Sequence, residues 1–241
     1  MAVTVTNLTS GWVDGSFTSQ DTSSVSPSGN KLILIGINQR TGITENPVVP
    51  TISGNGLTWE KILSIITDST GSSRRRLSLF RSMGASPSSG VITISSGVQT
   101  QTNFSWAVSE FGGVDTTGTN GSGAVVQSAQ VIDETISTQN VSVTLSAFSN
   151  VNNATFGCFN SADATHTFTP GSGFTELYEV NDTSGGLSGG ALATEWKDTN
   201  DTTVDGVWSG NFQGGGIAIE IKAAVTSNIK YGGLQMMGMG N

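Results

Sequence analysis

Charge is what this sequence has least of: 12% of its 241 residues are Asp, Glu, Lys or Arg, about half the usual share of roughly 25%. Its 10 basic residues are outnumbered by 18 acidic ones, for a net charge of -8. The cationic footprint that drives nucleic-acid binding is therefore missing. A single cysteine excludes an internal disulfide, and a single histidine excludes a Cys/His metal cluster. Apolar runs are short as well. The longest, Leu32–Ile35, suits a buried strand, whereas a membrane helix needs roughly 18 uninterrupted apolar residues. The start, Met-Ala-Val-Thr-Val-Thr-Asn-Leu-Thr, has no cationic segment and no signal-like apolar core. The expectation is a soluble chain made in the cytosol, without cofactor, nucleic-acid partner or membrane.

What the chain does have is a succession of short strand-like segments between Gly, Ser, Asn and Asp clusters. Thirteen stand out: Val3–Leu8, Lys31–Asn38, Thr58–Ile66, Arg76–Met83, Gly90–Ser95, Asn103–Phe111, Ala124–Val131, Asn140–Ala147, Ala154–Asn160, Phe174–Val180, Ala191–Lys197, Thr203–Ser209 and Gly216–Lys222. Phe104, Trp106 and Val108 alternate onto one face, as do Val141, Val143 and Leu145, then Ile217, Ile219 and Ile221. Such alternation marks half-buried antiparallel strands. No stretch carries a helical stripe over three turns, and none recurs at a fixed period, which argues against a propeller or β-helix. The pattern predicts an all-β chain, an antiparallel two-sheet β-sandwich with jelly-roll-like topology, a barrel being the runner-up.

Residues 1–222 read as a single sandwich domain, with the Ser/Thr-rich segment 19–30 as a flexible loop or arm. Residues 223–241 read as an extended Gly/Met-rich docking tail. Its Tyr231, Leu234, Met236, Met237 and Met239 are unusual choices for a solvated end and suit an adaptable apolar contact. A frayed terminus is the plainer alternative.

Candidate chemistry is thin. His166 lies in a loop-like stretch with no Gly-x-Ser-x-Gly elbow nearby, so a surface histidine is the plainer reading than a Ser-His-Asp triad. Glu110, Glu195 and Glu220 are candidates for the paired carboxylates of a glycosidase, which must face each other about 5–9.5 Å apart; solvated strand faces explain such acids more simply. Asp198, Asn200, Asp201 and Asp205 gather hard oxygens suited to a structural calcium ion, without the spacing of a calcium loop. No metal ligand set is therefore assigned, and the chain is not expected to be an enzyme. Arg74, Arg75 and Arg76 form the one basic run, suited either to an acidic partner or to a guarded strand entrance. Of five tryptophans, Trp59, Trp106 and Trp196 are candidates for a carbohydrate platform, though most tryptophans in a sandwich belong to its core.

Five segments, Lys31-Leu-Ile-Leu-Ile-Gly-Ile-Asn38, Gly56-Leu-Thr-Trp-Glu60, Leu77-Ser-Leu-Phe-Arg81, Ser89-Gly-Val-Ile-Thr-Ile-Ser95 and Val108-Ser-Glu-Phe-Gly-Gly-Val-Asp115, resemble a β-sandwich family seen in tailed-phage structural proteins and some bacterial secreted proteins. The resemblance covers Lys31–Asp115 and extends more faintly to Lys222. It implies a jelly-roll-like module mounted on virions or cell surfaces and no catalytic residue. With no export signal, the expectation is a virion protein that decorates or cements the capsid, bound to the major capsid protein or other virion proteins. A homo-oligomer, a trimer by the same resemblance, goes with it. A tail or fibre module that binds host-surface glycans is the alternative.

Overall fold

The computed structural model describes residues 2–71, 73–183 and 189–225. The described residues form sixteen strands and one 3-10 turn, Ser122–Ala124. The first eight strands are β1 (Thr4–Phe17), β2 (Ser19–Asp21), β3 (Leu32–Arg40), β4 (Thr51–Gly54), β5 (Glu60–Asp68), β6 (Arg75–Ser82), β7 (Ile92–Ser95) and β8 (Gln101–Gly112). The next eight are β9 (Val125–Asp133), β10 (Asn140–Thr144), β11 (Ala154–Ser161), β12 (Phe168–Pro170), β13 (Thr175–Asp182), β14 (Gly190–Lys197), β15 (Thr203–Trp208) and β16 (Gly214–Ile221).

All thirteen expected segments contain strands. The three additional ones, β2, β4 and β12, are three or four residues long, too short to display an alternating pattern.

The sheet orders reveal a duplication. A five-stranded antiparallel sheet β1-β8-β3-β6-β5 is accompanied by a small sheet β2-β7-β4. The second half repeats both orders eight strands later, as β9-β16-β11-β14-β13 and β10-β15-β12. Each half is thus a jelly roll. Even the irregularities recur, since a bulge interrupts β5 between Lys61 and Leu63 and β13 between Glu176 and Tyr178. Counting along the ladders from this bulge sets Asn38 level with Asn160, Glu110 with Glu220, and Phe80 with Glu195. A period search misses this repeat because the two rolls share strand order and register but few side chains.

The two large sheets stack face to face as the expected antiparallel β-sandwich, and with a small sheet on the outer face of each the body has four layers. Strand β1 lies over β13 as β9 lies under β5, and β8 meets β14 as β16 meets β6. Such reciprocal contacts have the form of an isologous dimer interface. Three cores result. Leu34, Leu77, Leu79, Phe111, Phe156, Leu192, Ile217 and Ile219 fill the central one between the large sheets. Ile33, Ile35, Ile37, Phe104 and Trp106 fill the first roll, and Val141, Val143, Phe159, Phe168 and Trp208 the second. Burial of each such side chain contributes about 1.5–3 kcal/mol. The unbroken apolar run Leu32–Ile35 follows directly, because β3 buries alternate residues in two different cores.

Close approach at the centre also requires a small residue. A Cβ on Gly36 would lie 2.6 Å from the Sγ of Cys158, its counterpart on β11.

At one end of the stack the rolls are joined by a polar seam. The Asn160 amide donates to Asn38 Oδ1 and to Thr67 Oγ1, both at 2.9 Å, and its oxygen accepts from the Gly215 amide. Arg75 of the first roll donates to Asp68 and to the carbonyls of Ala162 and Gly189 in the second. Glu134 accepts from the Ser69 amide and hydroxyl, both at 3.0 Å. The far end holds the connection between rolls and both ends of the described chain: Val114 bridges Ala223, and the Lys222 ammonium lies 2.7 Å from Asp115. That ammonium, with the Thr117 hydroxyl and amide, holds the Asp115 carboxyl down to about 2.

Two expected boundaries move. Segment 19–30 is no free arm, because it begins as β2 and is held by Thr22, Val25 and Asn30 amides on the carbonyls of Ile92, Gly90 and Gly84. The folded body also runs past 222: Ala223 is buried, and the Ala224 amide donates to Gly113.

Replacing Asn160 by Ala strands three buried partners, so Asn160→Ala should lower unfolding free energy by about 2–4 kcal/mol. A urea titration in which the midpoint drops at constant slope checks this; an unchanged midpoint would contradict a seam that joins the rolls.

Candidate functional site

The arginine run turns inward. Arg75 is buried, and desolvation together with neighbouring Arg40 depresses its guanidinium to about 10 despite Asp68. Its hydrogen bonds to the second roll make it a tie between halves, not a charge offered to a partner. Arg74 donates to Asn46, and Arg76 donates to the Pro47 carbonyl and Ser64 hydroxyl. Both hold down the loop between β3 and β4.

Trp106 is buried in the first roll against Gly11, which removes it as a sugar platform. Trp59 and Trp196 are half-buried against the first-roll and central cores, Trp196 edge-on to Phe111 at 6.1 Å. The most exposed tryptophan is Trp12, at 39% on edge strand β1; nothing in its local sequence separates it from the others.

The candidate carboxylates do not converge. Glu110 and Glu220 occupy the same position of different rolls, on opposite sides of the central core. Each receives a serine amide and hydroxyl from the loop before the matching strand: Ser28 at 2.8 and 2.9 Å, Ser149 at 3.4 Å for both. They close the rolls.

Glu195 is buried where the first roll has Phe80. Burial pushes its carboxyl up to about 8, Asp205, Asp201 and Glu176 adding to the effect, while the Gly171 amide at 3.3 Å opposes it.

His166 meets Ser161 through Nδ1 at 3.0 Å and Asp163 through Nε2 at 3.5 Å. This resembles a triad in its contacts alone. Ser161 is fully buried and also accepts the Asp163 amide, so it has no surface from which to attack a substrate. The cluster caps a turn. In the acidic loop, Asp201 is taken up by Lys197 at 2.8 Å and by the Thr203 amide. Among the described residues no group of three or more His, Cys, Asp or Glu is placed to hold a metal ion. Tyr231, Leu234, Met236, Met237 and Met239 lie outside the described residues.

The fold assembles two surfaces that motif reading does not reveal. At the seam end, the β3–β4 and β7–β8 loops enclose an open basin of about 610 Å³ bounded by Ile43, Glu45, Val48, Val98, Gln99 and Thr102. Val98 is 99% exposed at its rim. These apolar side chains come from two separate loops, and only loop convergence at a jelly-roll end groups them. The opposite end carries the inter-roll connection and the point, after Val225, from which residues 226–241 continue. The two poles therefore differ: the polar seam and the basin lie at one, and the inter-roll connection and both ends of the described residues lie at the other.

Comparison with protein-family models, curated proteins and solved structures finds no match. The reading of function rests on the chain itself.

Glu195 sets a pH dependence of stability. Its carboxyl rises from an ordinary 4.5 to about 8 on folding, so the folded state binds the extra proton between those values. Stability falls as pH rises across that window and is level above it. Glu195→Gln keeps an acceptor for Gly171 and removes the slope. The variant should melt at least about 3 °C higher than the parent at pH 8 and within about one degree of it at pH 4. Parallel melting curves at both values would refute a buried neutral carboxyl.

Proposed function

We propose that this chain is a structural virion protein, a capsid decoration or cement protein that binds the major capsid protein through the pole carrying its chain ends. The observation that carries this reading is the separation of the two poles. The connection between rolls, the Asp115–Lys222 pair and the exit toward 226–241 share one end. The polar seam and the basin between the β3–β4 and β7–β8 loops share the other. A module attached by its first pole presents its second outward.

Composition supports the same reading. Little surface charge and a triply layered apolar core suit a chain held in a fixed position against neighbours. Tyr231, Leu234 and the three terminal methionines supply the apolar contact. Each is worth little alone, about 1.5–3 kcal/mol at most, so repeated copies on a particle give the avidity that makes such contacts effective. Assembly would occur in the host cytoplasm, with the virion as final location.

The reading frame should lie beside those of a portal, a protease and a major capsid protein. Purified full chain should co-sediment with capsids assembled from that capsid protein. Deletion of residues 226–241, which leaves Ala223 and Ala224 in place, should weaken co-sedimentation by about tenfold or more without moving the melting transition. Full occupancy by the shortened chain would overturn the docking role of the segment, and absence of binding by the full chain would overturn the decoration reading.

A further inference from the structure

A sheet edge is a row of unpaired backbone groups, and proteins usually blunt it with bulges, charges or brevity. Three of the four edges of the large sheets are blunted in this way. Strand β1 is bulged between Asn7 and Thr9 and again between Asp14 and Phe17. Strand β5 carries Glu60, Lys61 and Asp68 and two bulges, and β13 carries Glu176, Glu179 and Asp182 and one.

Strand β9 differs. Its sequence, Val-Val-Gln-Ser-Ala-Gln-Val-Ile-Asp, has no charge before Asp133 and no proline or glycine. Its one irregularity lies at the start, opposite Glu220 and Ile221, after which Gln127–Asp133 pairs with β16 without interruption. Among the described residues, 126–132 make no backbone–backbone hydrogen bond other than that ladder. The neighbouring small-sheet edge, β10, is five residues long.

The side chains on this edge are self-complementary. Across an antiparallel pair, facing residues project to the same side of the sheet, so a two-fold pairing must centre on a residue. Centred on Ala129, it sets Ser128 opposite Gln130 and Val126 opposite Ile132, each pairing occurring twice. Val126 and Ile132 are exposed large apolar residues, at 42% and 44%, and this register covers both. The smallest side chain of the strand sits on the axis, and Asp133 faces Val125 rather than another acid.

We propose that β9 is the self-association edge of this protein, pairing antiparallel with β9 of a second copy about a two-fold axis through Ala129 and joining two five-stranded sheets into one of ten. A pair, not a trimer, is the unit that this edge builds.

Light scattering coupled to gel filtration of the full chain, from low to high micromolar, tests it. The expected mass is twice that of the chain at the upper end. Ser128→Lys with Gln130→Lys sets lysine against lysine twice across the axis and should halve that mass. Ser128→Lys with Gln130→Glu sets lysine against glutamate twice and should restore it. A monomeric or trimeric parent overturns the proposal, as does a dimer indifferent to the double-lysine change. Loss of the dimer without rescue overturns the Ala129 register. Amide hydrogen exchange on the unaltered chain gives a reading free of folding defects: protection over 126–132 should fall on dilution, and protection independent of concentration counts against the pairing.

Discussion

The central apolar layer is the constraint on which the other features depend. Each large sheet has two apolar faces, one closed by its own small sheet and the other left open by the roll that carries it. Leu34, Leu79, Phe156 and Ile219 lie on those open faces and are buried only because the other roll covers them. The rolls are therefore not two independent beads on a connection. A strand buried on both faces has no side for charged residues, and much of the chain is such strand. Scarcity of charge is the compositional trace of this four-layer packing.

At one end, polar groups enclosed by the stacking bond from one roll to the other. Asn38 and Asn160, equivalent by register, meet across the centre, while Arg75 reaches two carbonyls of the other roll. Hydrogen bonding directs how the rolls fit where apolar contact alone would tolerate sliding. The duplication is also unequal in an informative way. Phe80 fills a core position where its counterpart Glu195 is an acid held neutral by burial, so the second roll carries a pH-sensitive point that the first does not. Glu110 and Glu220, by contrast, keep one role in both halves, receiving serine donors where a loop enters the sheet.

Function follows from how this block ends and where it stops. One pole offers the polar seam and an apolar basin; the other carries the inter-roll connection and both ends of the described residues. Along the side, the large sheets stop at four edges, and bulges and charges disarm three of them. Under the proposed function and the proposed pairing, the body acts through these surfaces: attachment at one pole, exposure at the other, and association along β9.

Strand existence and most strand limits were legible in residue order, because alternation such as Phe104-x-Trp106-x-Val108 is a local property of a pleated chain. So were the excess of turns, the absence of helical stripes and the all-β class. The arginine run misled, since three adjacent cations look exposed until Asp68 and two carbonyls from residues 162 and 189 close around the middle one. The glutamates were noticed but not their duties, because their serine partners lie 82 and 71 positions away. Sequence by itself determined which stretches extend and which turn, through side-chain period and backbone preference. Only the tertiary structure decided that there are two rolls, that their large sheets face each other, and which edge stays open. Those outcomes depend on contacts between residues more than a hundred positions apart, and such contacts leave no periodic mark on the chain.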